Sequence, residues 1–471
     1  SGRKLSERFT SAFTALTALV SLGFSLSMFE SVTGTGHAHT AIDAAVAVDG
    51  FAALVLVVVS ASLFLVAISS ASFLHRNAME AAEFSVLLML SASGAMLMGQ
   101  ANDLIVLFLG LEVMSIALYV LAGSNLRRIA SGEAAIKYFV LGAFSSAIFL
   151  YGVALTYGAT GSTSFGRIAS FLAANLLVHD GVLLAGMGLM VVGLGFKVAT
   201  VPFHTWAPDV YQGSPTPAVS FMAAVAKAGG FAGLLRVLFS VLSTQRLDWQ
   251  PVIWVLAVAS LVVGAVLAVV QRDVKRMLAY SSISHAGFIV IGLQAASRQG
   301  ISAALYYLVA YSFMVIGSFT VAQVVGGPDD SHHDLEDYRG LVRRQPFLAV
   351  AMAVLLLAQA GVPFTTGFIA KFGVLAAAVG VHSYALALIG IVSAVIAAYF
   401  YLRVVAYMFS DPAQAAGEAG PAARPQGGKI EPVPVPFGAG LSISLCVAVT
   451  VVMGVWAGPL VDFARAAKTY F

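Results

Sequence analysis

The chain has 471 residues, 59% of them hydrophobic and only 10% charged, with a formal net charge of +3. Soluble globular chains carry about 25% charged residues, so a water-soluble domain with an enlarged core is excluded and lipid is the expected solvent. The small net charge, without a basic stripe interleaved with aromatics, excludes a nucleic-acid partner. The single cysteine, Cys446, excludes a cysteine-ligated cluster and any disulfide within the chain.

In chain order, apolar runs long enough to cross ~30 Å of hydrocarbon predict thirteen spans, at 9–29, 49–70, 80–98, 102–122, 133–158, 178–200, 214–240, 250–270, 276–296, 301–325, 346–376, 383–409 and 438–459. The expected class is all-α: a polytopic transmembrane helical protein forming one domain over 1–471. The first run follows a polar start and lacks a cleavage pattern, so it is a span and not a signal peptide. The chain opens Ser1-Gly2-Arg3-Lys4 without methionine, and a further upstream segment is expected.

Basic residues orient the spans. The side holding residues 1–8 and each alternate loop carries fourteen, including Arg3, Lys4, Arg76, Arg127, Arg128, Arg272, Lys275, Arg276, Arg343 and Arg344, against five on the other. The basic-rich side is therefore read as cytoplasmic. Its longest hydrophilic stretch, Asp411 to about Gly438, is rich in Ala, Pro and Gly and reads as a flexible loop. A second loop holds His332, His333, Asp334, Glu336 and Asp337 in a spacing that fits no specific metal motif, and it reads as a solvated docking loop. No phosphate-binding glycine loop or other cofactor motif is present.

Two spans are interrupted. After Lys197 the run PFHTWAPDVYQGSPTP carries Pro202, Pro208, Pro215 and Pro217, and the span 346–376 contains Gly361-Val362-Pro363 in its middle. Proline removes a helix hydrogen bond and clashes with the preceding turn. Broken helices persist in membranes only where protein or a water-filled cavity satisfies the freed groups, and their termini are natural ion sites. Val-Pro-Phe occurs at 201–203 and again at 362–364, Glu112 to Lys197 spans 85 residues, and His285 to Lys371 spans 86. These spacings fit a duplicated bundle, with halves at 80–240 and 250–409 followed by a C-terminal helix at 438–459.

The chemistry is expected where charges meet lipid. Glu112, Lys137, Lys197, Lys227 and Lys371 all lie in apolar runs, where a charge costs at least ~2.5–3.5 kcal/mol. For Glu112, a structural ion pair competes with an acid that modulates a nearby lysine. Lys197, Lys227 and Lys371 are the best proton-carrier candidates, because desolvation destabilises the ammonium form. Snorkelling fits Lys227 poorly, since roughly a dozen residues separate it from either end of its span. Lys137 lies nearer the edge, where snorkelling or pairing with Glu133 one turn earlier competes with a relay role. His285, with Ser281, Ser282 and Ser284 nearby, has a reference value of ~6.5 suited to proton relay, although a satisfied structural histidine reads identically. His204, beside Pro202, is a weaker member of the same set.

The runs FLGLEVMSIALYVLAG, EAAIKYFVLGAFSSAIFLYG, GLGFKVATVPFHTWAPDVYQGSPTPAVSFMAAVAKAGG, QRDVKRMLAYSSISHAGFIVIG and GVPFTTGFIAKF closely resemble the antiporter-like membrane subunits of respiratory complex I, and within them the bacterial subunit N family. The resemblance covers about residues 49–459. It implies fourteen helices with two inverted five-helix repeats, each with one broken helix, so the thirteen spans read here leave one helix expected upstream of Ser1. It implies that Glu112 and Lys197 form a pair whose opening or closing shifts the charge state of Lys227 and passes protons toward Lys371, with Lys137 and His285 further along a central polar axis. It implies no flavin, iron–sulfur cluster or haem in this chain. NADH, FMN, iron–sulfur clusters and quinone are expected elsewhere in the complex. The implied partners are the neighbouring antiporter-like and small membrane subunits and membrane lipid, in a bacterial inner membrane. The rival readings are a subunit of a multi-subunit sodium/proton antiporter, a structural subunit without its own proton path, and a solute transporter.

Overall fold

The computed structural model describes residues 2–36, 38–175, 181–411 and 433–468, with side chains from residue 9 onward except that of Thr35. The stretch 412–432, and with it most of the loop expected to be flexible, lies outside the described residues.

The first third of the chain forms α1 (Gly2–Thr35), α2 (Gly50–Arg76), α3 (Ala81–Gln100), α4 (Leu104–Ala122) and α5 (Ile129–Thr160), then the short α6 (Phe165–Ala174). Next come α7 (Gly181–Val198), α8 (Trp206–Gly213), α9 (Thr216–Phe221), α10 (Lys227–Arg236), α11 (Arg246–Val269), α12 (Val274–Gln294) and α13 (Arg298–Val325). The remainder is α14 (Leu341–Arg344), α15 (Pro346–Ala360), α16 (Thr366–Gly380), α17 (Tyr384–Phe409), α18 (Phe437–Val455) and α19 (Gly458–Ala466). Among the described residues, twelve helices are long and apolar enough to cross a membrane. Helix α9 and α10 belong to one of these, Thr216–Val241, joined and extended by π-helical turns at Met222–Ala226 and Val237–Val241. The expected span 346–376 is α15 followed by α16, each of 15 residues and too short to cross alone.

One element departs from the all-α expectation. His39–Ala41 pairs antiparallel with Val46–Val48 as a two-stranded hairpin. Six residues of strand lie below any apolar-run signal, and Ile42, Asp43 and Ala44 turn the chain with positive φ.

Loops assigned to one side by charge meet in space. On the basic-rich side, Arg128 Nη1 donates to the Asp330 carbonyl at 2.6 Å across 202 residues. On the other, Asn102 Nδ2 donates to the Ala44 carbonyl at 2.8 Å, and the Phe51 N–H to the Lys468 carbonyl at 3.1 Å. Lys275, read from its charge as a loop residue, is instead fully buried at the start of α12, donating to the Ser214 carbonyl at 2.7 Å and reaching Asp330 at 3.4 Å. Asp49 caps α2 by accepting from the Ala52 N–H at 2.7 Å. The same carboxylate holds Arg236 bidentately at 2.8 and 2.9 Å, a buried pair that ties α2 to α10.

Thr216–Val241, α12 and α13 form the interior of the bundle, while α1 lies at its edge with most of its surface uncovered. The charged groups of interest sit on or against that interior column.

Candidate functional site

Lys197, Lys227, His285 and Lys371 are each at least 94% buried, the least covered being Lys371 at 6% exposure. Among the described residues, none of the three lysines has a carboxylate within ion-pair distance. Their partners are neutral oxygens.

Lys197 closes α7. Its Nζ donates to Ser115 Oγ at 2.9 Å and Tyr138 OH at 3.1 Å, from α4 and α5. The ammonium also lies 5.7 Å from the Tyr119 ring centre and 5.3 Å from that of Tyr138. Trp206 stacks on Tyr138 at 4.5 Å and donates its indole N–H to the Phe196 carbonyl at 2.9 Å, which fixes this aromatic wall to the helix end. Glu112 and Lys197, which the resemblance implies as a pair that opens and closes, are joined by neither a salt bridge nor a hydrogen bond in this structure. Glu112 lies one turn before Ser115 on α4, and its Oε1 is buried without a hydrogen-bond partner. The group of this helix face that meets the lysine directly is the Ser115 hydroxyl.

Lys227 begins α10 where a π-helical turn hands over to α-helix. Such turns shift helix register and recur at functional sites. Its Nζ donates to the Val198 carbonyl at 3.2 Å and the Ser282 carbonyl at 2.6 Å. Val198 is the last residue of α7, so Lys227 caps the broken helix that carries Lys197. Lys371 repeats this arrangement at the second break: its Nζ donates at 2.9 Å to the carbonyl of Ala360, the last residue of α15. A helix C-terminus carries partial negative charge, which attracts an ammonium without neutralising it.

The Val-Pro-Phe tripeptides occupy both breaks. At the first, the Val201 N–H finds Ser260 Oγ at 2.9 Å and the Thr200 N–H finds the Gly195 carbonyl at 2.9 Å. At the second, Gly361 turns with φ +96°, and Thr365 Oγ1 donates to the Val362 carbonyl at 2.7 Å. Protein groups thus satisfy backbone that lipid could not.

Helix α12 links these positions. Ser282, His285 and Phe288 recur every three residues on one face. The Ser282 carbonyl holds Lys227, and Lys371 Nζ lies 4.9 Å from the Phe288 ring centre. Between them, His285 Nδ1 shares a hydrogen bond with Tyr307 OH at 2.6 Å and Nε2 one with Tyr401 OH at 3.1 Å. Tyr401 OH in turn contacts Ser281 Oγ. An imidazole with a hydroxyl on each nitrogen can take a proton on one side and release it on the other.

Lys137 is not in this buried series. It lies half-exposed at the rim, paired with Glu133 at 2.7 Å and Asp209 at 2.9 Å, while Arg276 holds the other Asp209 oxygen at 2.6 Å. Burial pushes the Asp209 carboxyl up, but hydrogen bonds from Lys137 and Arg276 outweigh it and hold it below its ordinary value. Lys137, Glu133 and Asp209 line a cleft of about 320 Å³ on the basic-rich side. Tyr138, the residue after Lys137, points inward to Lys197, so α5 carries rim and interior groups on adjoining positions. His204 lies between α7 and α8 with Nδ1 buried and unpartnered, and it joins none of these contacts.

The histidines of the acidic loop serve a different end. His333 Nε2 meets Asp330 at 2.9 Å, alongside Lys275, Arg128 and Thr216, and no group of metal-ligating side chains is found among the described residues.

Residues 101–397 match the family described as NADH:quinone oxidoreductase/Mrp antiporter, TM. NADH-quinone oxidoreductase subunit N of Mycobacterium tuberculosis is 46% identical over 387 residues, 81% of this chain and 70% of that protein. The chain belongs to the NADH-quinone oxidoreductase subunit N family. Subunit N of Trichlorobacter lovleyi is 41% identical over 403 residues, 86% of this chain and 82% of its own. A chain of respiratory complex I from Thermus thermophilus superimposes with a TM-score of 0.78 at 31% identity, covering 98% and 95% of the two chains. A chain of the Mrp complex from Dietzia sp. reaches a TM-score of 0.85 at 20% identity over 98% and 92%, a likeness of fold. The subunit N family and the long apolar helices place this chain as a multi-pass protein of the bacterial inner membrane, one membrane subunit of a larger oxidoreductase. The antiporter-like helical fold expected from the resemblance is the one observed.

Sequence reasoning missed Ser115, Tyr138, Tyr307 and Tyr401, because hydroxyls in apolar helices raise no anomaly. The π-helical turn before Lys227 leaves no signal beyond the flanking Gly229 and Gly230.

Proposed function

We propose that this chain transfers protons across the membrane along Lys197, Lys227, His285 and Lys371, coupled to NADH oxidation and quinone reduction in other subunits. The observation that carries this reading is the neutral company of the three buried lysines. A buried ion costs several kcal/mol even after relaxation, and a structural lysine would be offset by a carboxylate. Hydroxyls and helix-end carbonyls can instead accommodate both the ammonium and the amine, since a carbonyl accepts an N–H from either form and a hydroxyl accepts from the first and donates to the second.

Lys197 takes its proton from the side of the rim cleft, with Lys137, Glu133 and Asp209 as surface groups and Glu112 modulating the charge on Lys197 from one turn beyond Ser115. Lys227 receives it across the first helix break. The His285–tyrosine cluster relays it to Lys371 at the second break. The halves 80–240 and 250–409 act as two half-channels, since each contains one break and five crossings invert the second half relative to the first. Helix 438–459 stands outside both. NADH, FMN, iron–sulfur clusters and quinone belong to the partner subunits, and the redox energy reaches this chain through conformation or electrostatics.

In the assembled complex, Lys371→Ala is expected to lower protons moved per NADH oxidised while assembly is retained. Unchanged pumping with an intact complex would remove Lys371 from the path. Loss of assembly would support a structural subunit, and pumping that requires sodium would support the antiporter reading.

A further inference from the structure

A cavity of about 670 Å³ opens on the side opposite the basic-rich loops, between the start of α13, the later turns of α16, and α19. It lies outside the buried lysine series and none of its residues has a role there. Among the described residues, Arg298 and Arg465 are the only charged side chains in its lining, and both reach solvent. Arg465 pairs weakly with Asp462 at 3.8 Å on the exposed face of α19. Deeper in the cavity the wall turns apolar, with Ile369, Phe372 and Ala376 from α16.

The decisive group is Tyr306. It lines the cavity, is only 3% exposed, and its hydroxyl is buried without a hydrogen-bond partner. It lies eight residues below Arg298 on α13, about 12 Å along the axis, and helix side chains tilt toward the N-terminus. Its hydroxyl therefore leans back toward the arginine level.

We infer that this cavity binds one anionic phospholipid of the non-cytoplasmic leaflet. Arg298 and Arg465 hold the phosphate at the depth where headgroups lie. Tyr306 donates to an ester carbonyl of the glycerol below it, and the wall of Ile369, Phe372 and Ala376 receives an acyl chain. Free phosphate would use the arginines but leave both Tyr306 and the apolar wall unserved. The vertical order of cation, hydroxyl donor and apolar surface matches the order of groups in a lipid.

The test uses the full chain purified in detergent, titrated by native mass spectrometry with dioleoyl phosphatidylglycerol, dioleoyl phosphatidylcholine and inorganic phosphate. One phosphatidylglycerol should be retained over phosphatidylcholine by about tenfold or more. The double variant Arg298→Gln/Arg465→Gln should lose that preference. Tyr306→Phe should weaken retention of both diacyl lipids, with helical content unchanged by circular dichroism. Equal retention of the two lipids, an unaltered preference in the double variant, or full competition by millimolar phosphate would overturn the assignment. So would a photo-crosslinker at Ala303 in the assembled complex that captures a protein segment in place of lipid.

Discussion

Lys227 Nζ and the Ser282 carbonyl meet at 2.6 Å, one turn before His285 on the same face of α12. The acceptor is main chain, so the contact survives any change in the Ser282 side chain and ties the lysine to the position of the helix itself. A small shift of α12 along its axis would move the acceptor relative to Lys227 and Lys371 together. In the proposed proton path, α12 is therefore the element that would couple the two helix breaks.

The hydroxyls around Lys197 are the first point of test. A hydrogen bond to a charged group contributes about 1.5–3 kcal/mol, so Ser115→Ala or Tyr138→Phe alone leaves one acceptor and should slow proton transfer modestly. The double variant leaves the buried amine with neither side-chain partner. Its loss in NADH-driven proton transfer should exceed the sum of the singles on a free-energy scale. Strict additivity would show that the two hydroxyls do not act on one proton site.

Gly230 brings α10 against the end of α7. A Cβ there would lie 2.7 Å from Val198 Cγ1 and 3.4 Å from Lys197 Cγ. Gly230→Ala must therefore displace Val198, whose carbonyl holds Lys227, at a cost of about 1–3 kcal/mol. Thermal unfolding of the purified chain should fall accordingly, and proton transfer in the complex should fall more than complex abundance. Wild-type transfer in a variant with lowered stability would separate this packing from the proton path.

Asp330 anchors the basic-rich face. Burial pushes its carboxyl up, yet the Lys275 ammonium, His333 and the Thr216 hydroxyl outweigh that and hold it well below the usual carboxylate range. A carboxyl lower in the folded state contributes stability above the unfolded value of ~3.9, and loses it as pH falls toward the folded value. Asp330→Asn should destabilise by about 3–5 kcal/mol at pH 7, because Lys275 is left buried without its counter-ion. The gap to wild type, followed by thermal unfolding in detergent, should hold from pH 7 to 5 and narrow below about pH 4. A gap constant down to pH 3 would contradict the ionised Asp330–Lys275 pairing.

The membrane spans, both breaks and the buried lysines were legible because each violates an average: long apolar runs, proline within a helix, charge within lipid. Lys275 misled for the same reason. In QRDVKRM its charge read as loop, whereas its burial depends on Asp330, 55 residues away. Glu112 was found but the Ser115 contact to Lys197 was not, since which helix face meets which is decided by packing. Tyr307 and Tyr401 gain their meaning only from contact with His285, and nothing in an apolar run distinguishes a hydroxyl that touches an imidazole from one that packs against lipid. The hairpin at 39–48 is too short for its period to register.

The most direct measurement compares Lys227→Arg with Lys227→Ala in the assembled complex, following protons translocated per NADH oxidised. Arginine keeps the positive charge but does not release its proton in proteins. If Lys227 carries protons, both variants should lose transfer on the order of tenfold or more while the complex still assembles. Proton translocation restored by arginine to the wild-type level would show that a fixed charge suffices at this position, and would contradict the account.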